Sequence, residues 1–363
     1  MAKVKLPAGP QELTAPWLTS ALRETGAISG SAVTAFNYEI IGEGVGVLGQ
    51  LARVRLKYDT PEAGAPASLV AKFPAAMQEN RDLANLFRFY EREVRFYERI
   101  AEEVELRTPK RYYSRFDEDT NDFVLLIEDM HPARCGNQVE GCSQVEAMTT
   151  ILNMAPFHAT WWGKVDTPQL DWIPYGNDPV QHFAESSYND GWEHFTQNFG
   201  DRLSPRAMAI AERFKTKIIA TEDAFTTPPM TIAHGDLRYD NLFFADSGEM
   251  AVADWQIIVR ARGPYDVGYF MSQSLQPAER KASEMDILRA YHEKLLEHGV
   301  TDYSFGQCFD DYRISAMFCL VYPVISGGTL DLANQRGVEL VQAMLDRSVA
   351  TILDLDCDEL IPA

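Results

Sequence analysis

Residues 231–256 read TIAHGDLRYDNLFFADSGEMAVADWQ. Four polar side chains, His234, Asp236, Asn241 and Asp254, stand between apolar runs, and the short segments 241–245 and 250–253 read as a hairpin leading into the last carboxylate. Carboxylates among apolar strands must be paired, hydrogen-bonded or metal-bound, because an isolated buried charge is too costly. Two of them in one stretch suggest a divalent cation nearby. Oxygen-only ligands of this kind suit Mg²⁺, which keeps octahedral geometry and commonly shares its shell with phosphates. Taken singly, Asp236, Asp240, Asn241 and Asp246 also sit where ordinary Asx turns occur. Their order, followed by Asp-Trp-Gln after an apolar strand, is what favours a site over a set of turns.

The wording HGDLRYDNLFF, then VADWQ, then RGPYDVGYF resembles the small-molecule phosphotransferases of the protein-kinase-like superfamily: aminoglycoside phosphotransferases, choline kinases and, nearest in wording, the ecdysteroid-kinase-like group. The likeness runs from about residue 40 to about residue 274 and is strongest in the stretch above. It implies an α+β, bilobal protein-kinase-like fold. Its small antiparallel-sheet N-lobe, with one long helix, is expected over residues 1–130, and its larger, mainly helical C-lobe over 131–363. It implies that Asp236 positions the acceptor hydroxyl and takes its proton, and that an asparagine five residues on, Asn241, holds Mg²⁺ with Asp254. His234 would hold the loop by hydrogen bonds to backbone, and Asp266 would support it.

Length and composition are compatible. A chain of 363 residues suggests two domains or one two-lobed unit. Its 46% hydrophobic and 24% charged content is that of a globular protein. The longest apolar run, 316–325, is too short to span a bilayer, and the N-terminus lacks the apolar core of a signal peptide. Five scattered cysteines without a CxxC pair argue against zinc or a disulfide framework and fit a reducing cytoplasm. The formal charge of −20 disfavours nucleic acid and anionic membranes as partners. It serves solubility, or an acidic cleft for a cationic substrate. Oligomeric state is not legible.

Upstream, 12–26 reads as a short helix bracing the first lobe. Gly42, Gly44, Gly46 and Gly49 then lie between two strands, in a hairpin whose backbone can approach a ligand closely. It lacks the ending of a P-loop, and in the resembled family such a loop covers the ATP phosphates. The strand SLVAKFP carries Lys72 inside an apolar run, where a lysine needs a partner. Residues 79–104 read as one helix, with Leu83, Phe87, Tyr90, Val94 and Tyr97 at three- and four-residue steps. By resemblance Lys72 holds the α and β phosphates of ATP and Glu93 orients it; alternatively Glu93 is a surface partner of the arginines crowding this helix. The strand FVLLIEDM would lead into the linker, where the main chain of Glu128 and Met130 meets the adenine.

From 131 to 229 the chain turns helical and aromatic. Trp161, Trp162, Trp172, Trp192 and their neighbours suit either a pocket for an apolar alcohol or a cation, or plain core. His158 reads as a packed helix residue. Asp266 sits at a helix start that it can cap, and Arg260 and Arg262 could meet phosphate or, the favoured reading, stay solvated. Three C-terminal helices follow at 283–299, 305–327 and 334–355, the middle one ended by Gly327-Gly328.

Between Asp254 and Asp266 there is no room for an activation segment and no Ala-Pro-Glu follows, so a platform for protein substrates is missing. A small-molecule alcohol is therefore the expected acceptor, and the resemblance implies transfer of the γ-phosphate of ATP to it, with a lean to an apolar or steroid-like alcohol. The alternatives are an aminoglycoside- or choline-type kinase acting on a cation, and a nucleotide-binding regulator without turnover. A metal-dependent hydrolase is a third, lacking its His/Asp cluster.

Overall fold

The structure, a computed structural model, describes residues 6–42 and 48–362. The chain divides into two compact units: Met1–Glu103, Arg107–Ala133 and Ala251–Gln256 form the first, and Val104–Leu106, Arg134–Met250 and Ile257–Ala363 the second. The first unit thus runs three residues past the expected linker and reclaims the short segment containing Asp254.

The first unit is a five-stranded antiparallel sheet: β1 (Val33–Ile41), β2 (Gly49–Tyr58), β3 (Ser68–Pro74), β4 (Arg111–Phe116) and β5 (Phe123–Glu128), in the order β1-β2-β3-β5-β4. Lys72 on β3 lies opposite Leu51 and Leu125 on its neighbours, so it is carried by a central strand. Helix α1 (Ala15–Glu24) is started by Thr14, whose hydroxyl accepts the amide of Trp17 at 3.2 Å. It buries Leu18 and Leu22 against Val54, Leu69 and Phe73 of the sheet, the brace expected of it.

The stretch expected to be one helix is two, α2 (Gln78–Leu86) and α3 (Phe89–Arg99), broken at Arg88, whose φ is +56°. Residues two apart on a helix do not face one another. The left-handed residue turns Phe87 and Phe89 to the same side, where their rings stack at 5.2 Å. Glu91 stabilises the restart, pairing with Arg88 at 2.7 Å and with Arg95 at 2.6 Å.

The second unit holds helices α4 (Gln144–Trp161), α5 (Phe183–Phe199), α6 (Pro205–Phe214), α7 (Ile218–Phe225), α8 (Pro264–Ser274), α9 (Pro277–Glu297), α10 (Phe305–Phe318), α11 (Val321–Thr329) and α12 (Gln335–Asp354). Its short strands are β6 (Arg134–Cys135), β7 (Thr231–Ala233), β8 (Leu242–Phe244) and β10 (Val259–Ala261), and β9 (Met250–Val252) carries the chain back to the first unit. A capping box between Ser143 and Glu146 starts α4. Tyr188, Phe195 and Phe199 lie in the main core and Trp172 is also buried, while Trp161, Trp162, Tyr175 and Trp192 are half-buried and Phe183 is exposed.

The expected helix over 305–327 breaks after Phe318. Pro323 lacks an N–H and would clash with the carbonyl four residues back, so the chain restarts as α11. Gly327 and Gly328 do not end a helix; they lie inside α11. A Cβ on Gly328 would stand 2.5 Å from the Cα of Gly191 on α5, so the two glycines let these helices touch backbone to backbone.

Candidate active site

In the first unit, the Lys72 ammonium lies 2.5 Å from Glu93 Oε1 and 3.3 Å from Asp254 Oδ1. Lys72 and Glu93 are buried, and Asp254 is partly exposed. Burial pulls the Lys72 ammonium down, but Asp254 and Glu93 outweigh it and the lysine titrates above its ordinary range. Burial pushes the Glu93 carboxyl up to about 7, while the ammonium of Lys72 draws it back. One cation thus serves two carboxylates.

Asp254 has a φ of +66°, a left-handed conformation that aspartate tolerates better than most residues. Trp255 anchors it. The buried indole stacks on Phe96 at 3.8 Å, its Nε1 donates to the Val252 carbonyl at 3.2 Å, and its backbone amide donates to Glu93. Phe96 is three residues past Glu93, so a single helix face positions both the lysine's partner and the aspartate's neighbour.

In the second unit, β7 and β10 pair antiparallel, with Ala233 opposite Val259, and the loop after β7 carries Asp236. The Asp236 carboxylate accepts from Tyr269 Oη at 2.7 Å on Oδ1, and from Asn241 Nδ2 at 3.0 Å and Arg238 Nε at 3.3 Å on Oδ2. Asn241 Nδ2 also donates to the Asp236 carbonyl at 2.8 Å, which closes the turn; its Oδ1 accepts no hydrogen bond among the described residues. The backbone amide of Asp236 donates to His234 Nδ1 at 3.2 Å.

Asp266 does not cap its own helix. Its buried carboxylate accepts the amides of His234 at 2.7 Å and Gly235 at 3.0 Å, and meets His158 Nε2 at 3.1 Å. The other nitrogen of His158 lies 2.8 Å from the Tyr291 hydroxyl, and its carbonyl accepts Thr231 Oγ1 at 2.6 Å. His158 is therefore part of the loop's support. Gly235 has a φ of +86°, and a Cβ there would fall 2.2 Å from the Ile257 carbonyl oxygen, so no other residue fits. Arg260 is buried with its guanidinium 3.6 Å from the Tyr175 ring centre, and Arg262 pairs with Asp311. Neither is solvated as expected.

Two residues that the motif reading missed fasten this loop. Tyr269 lies three residues after Asp266 on α8, on the same face, and that spacing was the available signal. Gln138 had none. Fully buried, it accepts the Tyr239 amide at 2.7 Å with its side chain and donates its own amide to Asp240 at 2.8 Å. Arg347 of α12 in turn donates to the carbonyls of Gln138, Val139 and Gln273 at 2.6–2.9 Å.

The remaining expected contacts are main-chain ones. Gly42 has a φ of +73° at the end of β1; Gly44 and Gly46 lie outside the described residues. The Glu128 amide donates to the Lys110 carbonyl at 2.8 Å and its carboxylate accepts from Arg107 at 2.8 Å, while the Met130 carbonyl accepts from Ala133 at 2.8 Å. Among the described residues no group of three His, Cys, Asp or Glu could hold a metal. As hard oxygen donors, the Asn241 Oδ1 and the Asp254 carboxylate each suit Mg²⁺ in kind. No helix among the described residues is long and apolar enough to cross a membrane.

Comparison with known proteins bears on the fold and the family. The fold is similar to that of the choline kinase from Cryptosporidium parvum (TM-score 0.53, 10% identity, 89% of this chain and 91% of that one). It is also similar to spectinomycin phosphotransferase solved with ADP and spectinomycin (TM-score 0.51, 11% identity, 96% and 100%). A search of the curated proteins finds no match. A sequence profile of the ecdysteroid kinase-like family matches residues 43–300, well over half of the chain. The chain belongs to the ecdysteroid kinase-like family, and with it to the ATP-dependent phosphotransferases of protein-kinase-like fold that act on hydroxyl groups.

Proposed function

We propose that this protein transfers the γ-phosphate of ATP to a hydroxyl of a small, apolar or steroid-like alcohol. The observation that carries the reading is the buried Lys72–Glu93 pair reaching Asp254, a lysine held ready for phosphate oxygens. Lys72 binds the α and β phosphates, and Glu93 keeps its ammonium in place. The Glu128 carbonyl and the Met130 amide meet the adenine, and the Gly42 backbone lies at the phosphates. By the family resemblance, Asn241 Oδ1 and the Asp254 carboxylate would hold Mg²⁺, which would supply charge neutralisation for the phosphates.

Asp236 takes the proton of the acceptor hydroxyl as its oxygen bonds to the γ-phosphorus and the bond to the β-phosphate oxygen breaks, leaving ADP. Its contribution is mainly orientation, since phosphoryl transfer is loose and needs positioning more than a strong base. Tyr269 and Asn241 hold the carboxylate so that it faces one way. The loop's outer support, His234 and Asp266, fixes the backbone beneath it.

The acceptor reading rests on the family and on the rings beside Asp236. Tyr269 stacks on Tyr322 at 4.5 Å, and Tyr322 in turn hydrogen-bonds Tyr265. Tyr322, the half-buried member of the three, offers an apolar flank to the body of an alcohol. Turnover of Mg-ATP with a panel of steroid-like, amino and simple alcohols is the test. Preference for the amino alcohols would replace the apolar acceptor with a cationic one. Stabilisation by Mg-ATP without transfer to any acceptor would leave a nucleotide-binding regulator.

A further inference from the structure

The first unit has a cavity of about 580 Å³ on a face of α3 that does not carry Glu93. Val94, Arg95, Glu98 and Arg99 of α3 form one wall, and Arg111, Ser114 and Arg115 of β4 the other. That volume is in the range of small-molecule sites, but the lining is charged where such sites are usually apolar, so a polar ligand is required.

The charge balance says which polarity. Lys and Arg number 33 in the chain against 53 Asp and Glu, yet here four arginines outnumber Glu24, Glu98 and Glu118. Arg95 is already paired, with Glu91 at 2.6 Å and Glu118 at 3.3 Å. Arg111 donates to the Tyr97 carbonyl at 3.1 Å and reaches the Ser114 hydroxyl at 3.5 Å. Ser114 donates onward to Glu98 at 2.7 Å. Among the described residues Arg99, Arg111 and Arg115 form no ion pair, despite the surplus of carboxylates. Guanidinium groups facing one concavity from two elements are suited to a phosphate, which they bind through paired N–H donors.

We propose that this cavity is a second ligand site, for a small molecule bearing a phosphate group, and that filling it ties α3 to β4 and thereby steadies Glu93 against Lys72. Arg99 on the helix and Arg115 on the strand would close on the phosphate from opposite sides. Arg111, which already holds the last turn of α3 through the Tyr97 carbonyl, would form the floor. The site rests on the cavity alone; its coupling to ATP rests also on the phosphotransferase reading, and the two parts are measured separately.

The probe is inorganic phosphate, titrated in a melting assay against wild type, R99A/R115A and K72M. Both arginines are exposed and without ion pairs, so the double variant should melt as wild type does without phosphate. The expected result is a saturable stabilisation of wild type and K72M that R99A/R115A lacks. No stabilisation of wild type, equal stabilisation of all three, or loss in K72M alone would overturn the site, the last by assigning the phosphate to the nucleotide-binding lysine. For the coupling, phosphate should lower the KM for ATP about fivefold in wild type and leave R99A/R115A unchanged. An unchanged KM in wild type would overturn the coupling while leaving the site standing.

Discussion

Asp236 and Asp254 belong to one stretch of sequence, yet the two units hold them in opposite ways. Asp254 is held by charge: an ammonium at 3.3 Å, shared with Glu93, on a backbone turned to φ +66°. Asp236 is held chiefly by directional donors: a phenol, an amide and the edge of a guanidinium, aimed at defined lone pairs. Charge fixes a distance, and hydrogen bonds fix an orientation. The first suits a carboxylate that must share oxygen atoms with a cation, the second one that must face a particular proton. Glu222 on α7 is the contrasting third case. It is buried, its Oε2 has no hydrogen-bond partner among the described residues, and burial pushes its carboxyl up to about 9.

Four substitutions separate these modes. D236N keeps the shape of the side chain and removes its capacity to take a proton. It should lower kcat by about 10²–10⁴-fold while Mg-ATP still stabilises the protein; near-normal turnover would remove Asp236 from the reaction. K72M leaves Glu93 buried without its ammonium, and breaking such a pair should cost about 3 kcal/mol of stability in urea unfolding. It should also abolish the melting shift with Mg-ATP.

E222Q reads the carboxyl that has neither kind of partner. Its folded-state pKa lies above the unfolded value, so its stability contribution is full below about 4.5 and is lost as the pH rises towards about 9. Glutamine cannot ionise, and the variant should escape a fall of about 4 kcal/mol between pH 5 and pH 8. Parallel stability profiles for wild type and variant would contradict this. Y269F removes one directional donor from Asp236 and nothing else. It should lower kcat about tenfold, the worth of one hydrogen bond to a charged group, with the KM for ATP unchanged. A change in KM alone would mean that Tyr269 acts on nucleotide binding instead.

What the sequence made legible follows from the range of the forces involved. The polar residues of the catalytic stretch, the strand lysine and the helix glutamate stand out because each is costly amid apolar neighbours, and the structure brings Lys72, Glu93 and Asp254 together. Arg88 did not stand out. The apolar spacing runs through it unbroken, and the break serves the stacking of Phe87 on Phe89, which helical periodicity cannot express. Gly191 and Gly328 are 137 positions apart in sequence, and either alone reads as a weak point in a helix. Only their contact explains them. Gln138 is invisible for the same reason, since its partners lie about a hundred residues downstream.

Arg347 gives that distance a consequence in time. A ribosome adds roughly 5–20 residues per second, so Asn241 leaves the peptidyl-transferase centre some 5 to 20 s before the arginine that secures Gln138 has been made. Until α12 emerges, the carbonyls of Gln138, Val139 and Gln273 lack their guanidinium partner. The nascent chain should therefore gain protection around Gln138 late, when α12 docks.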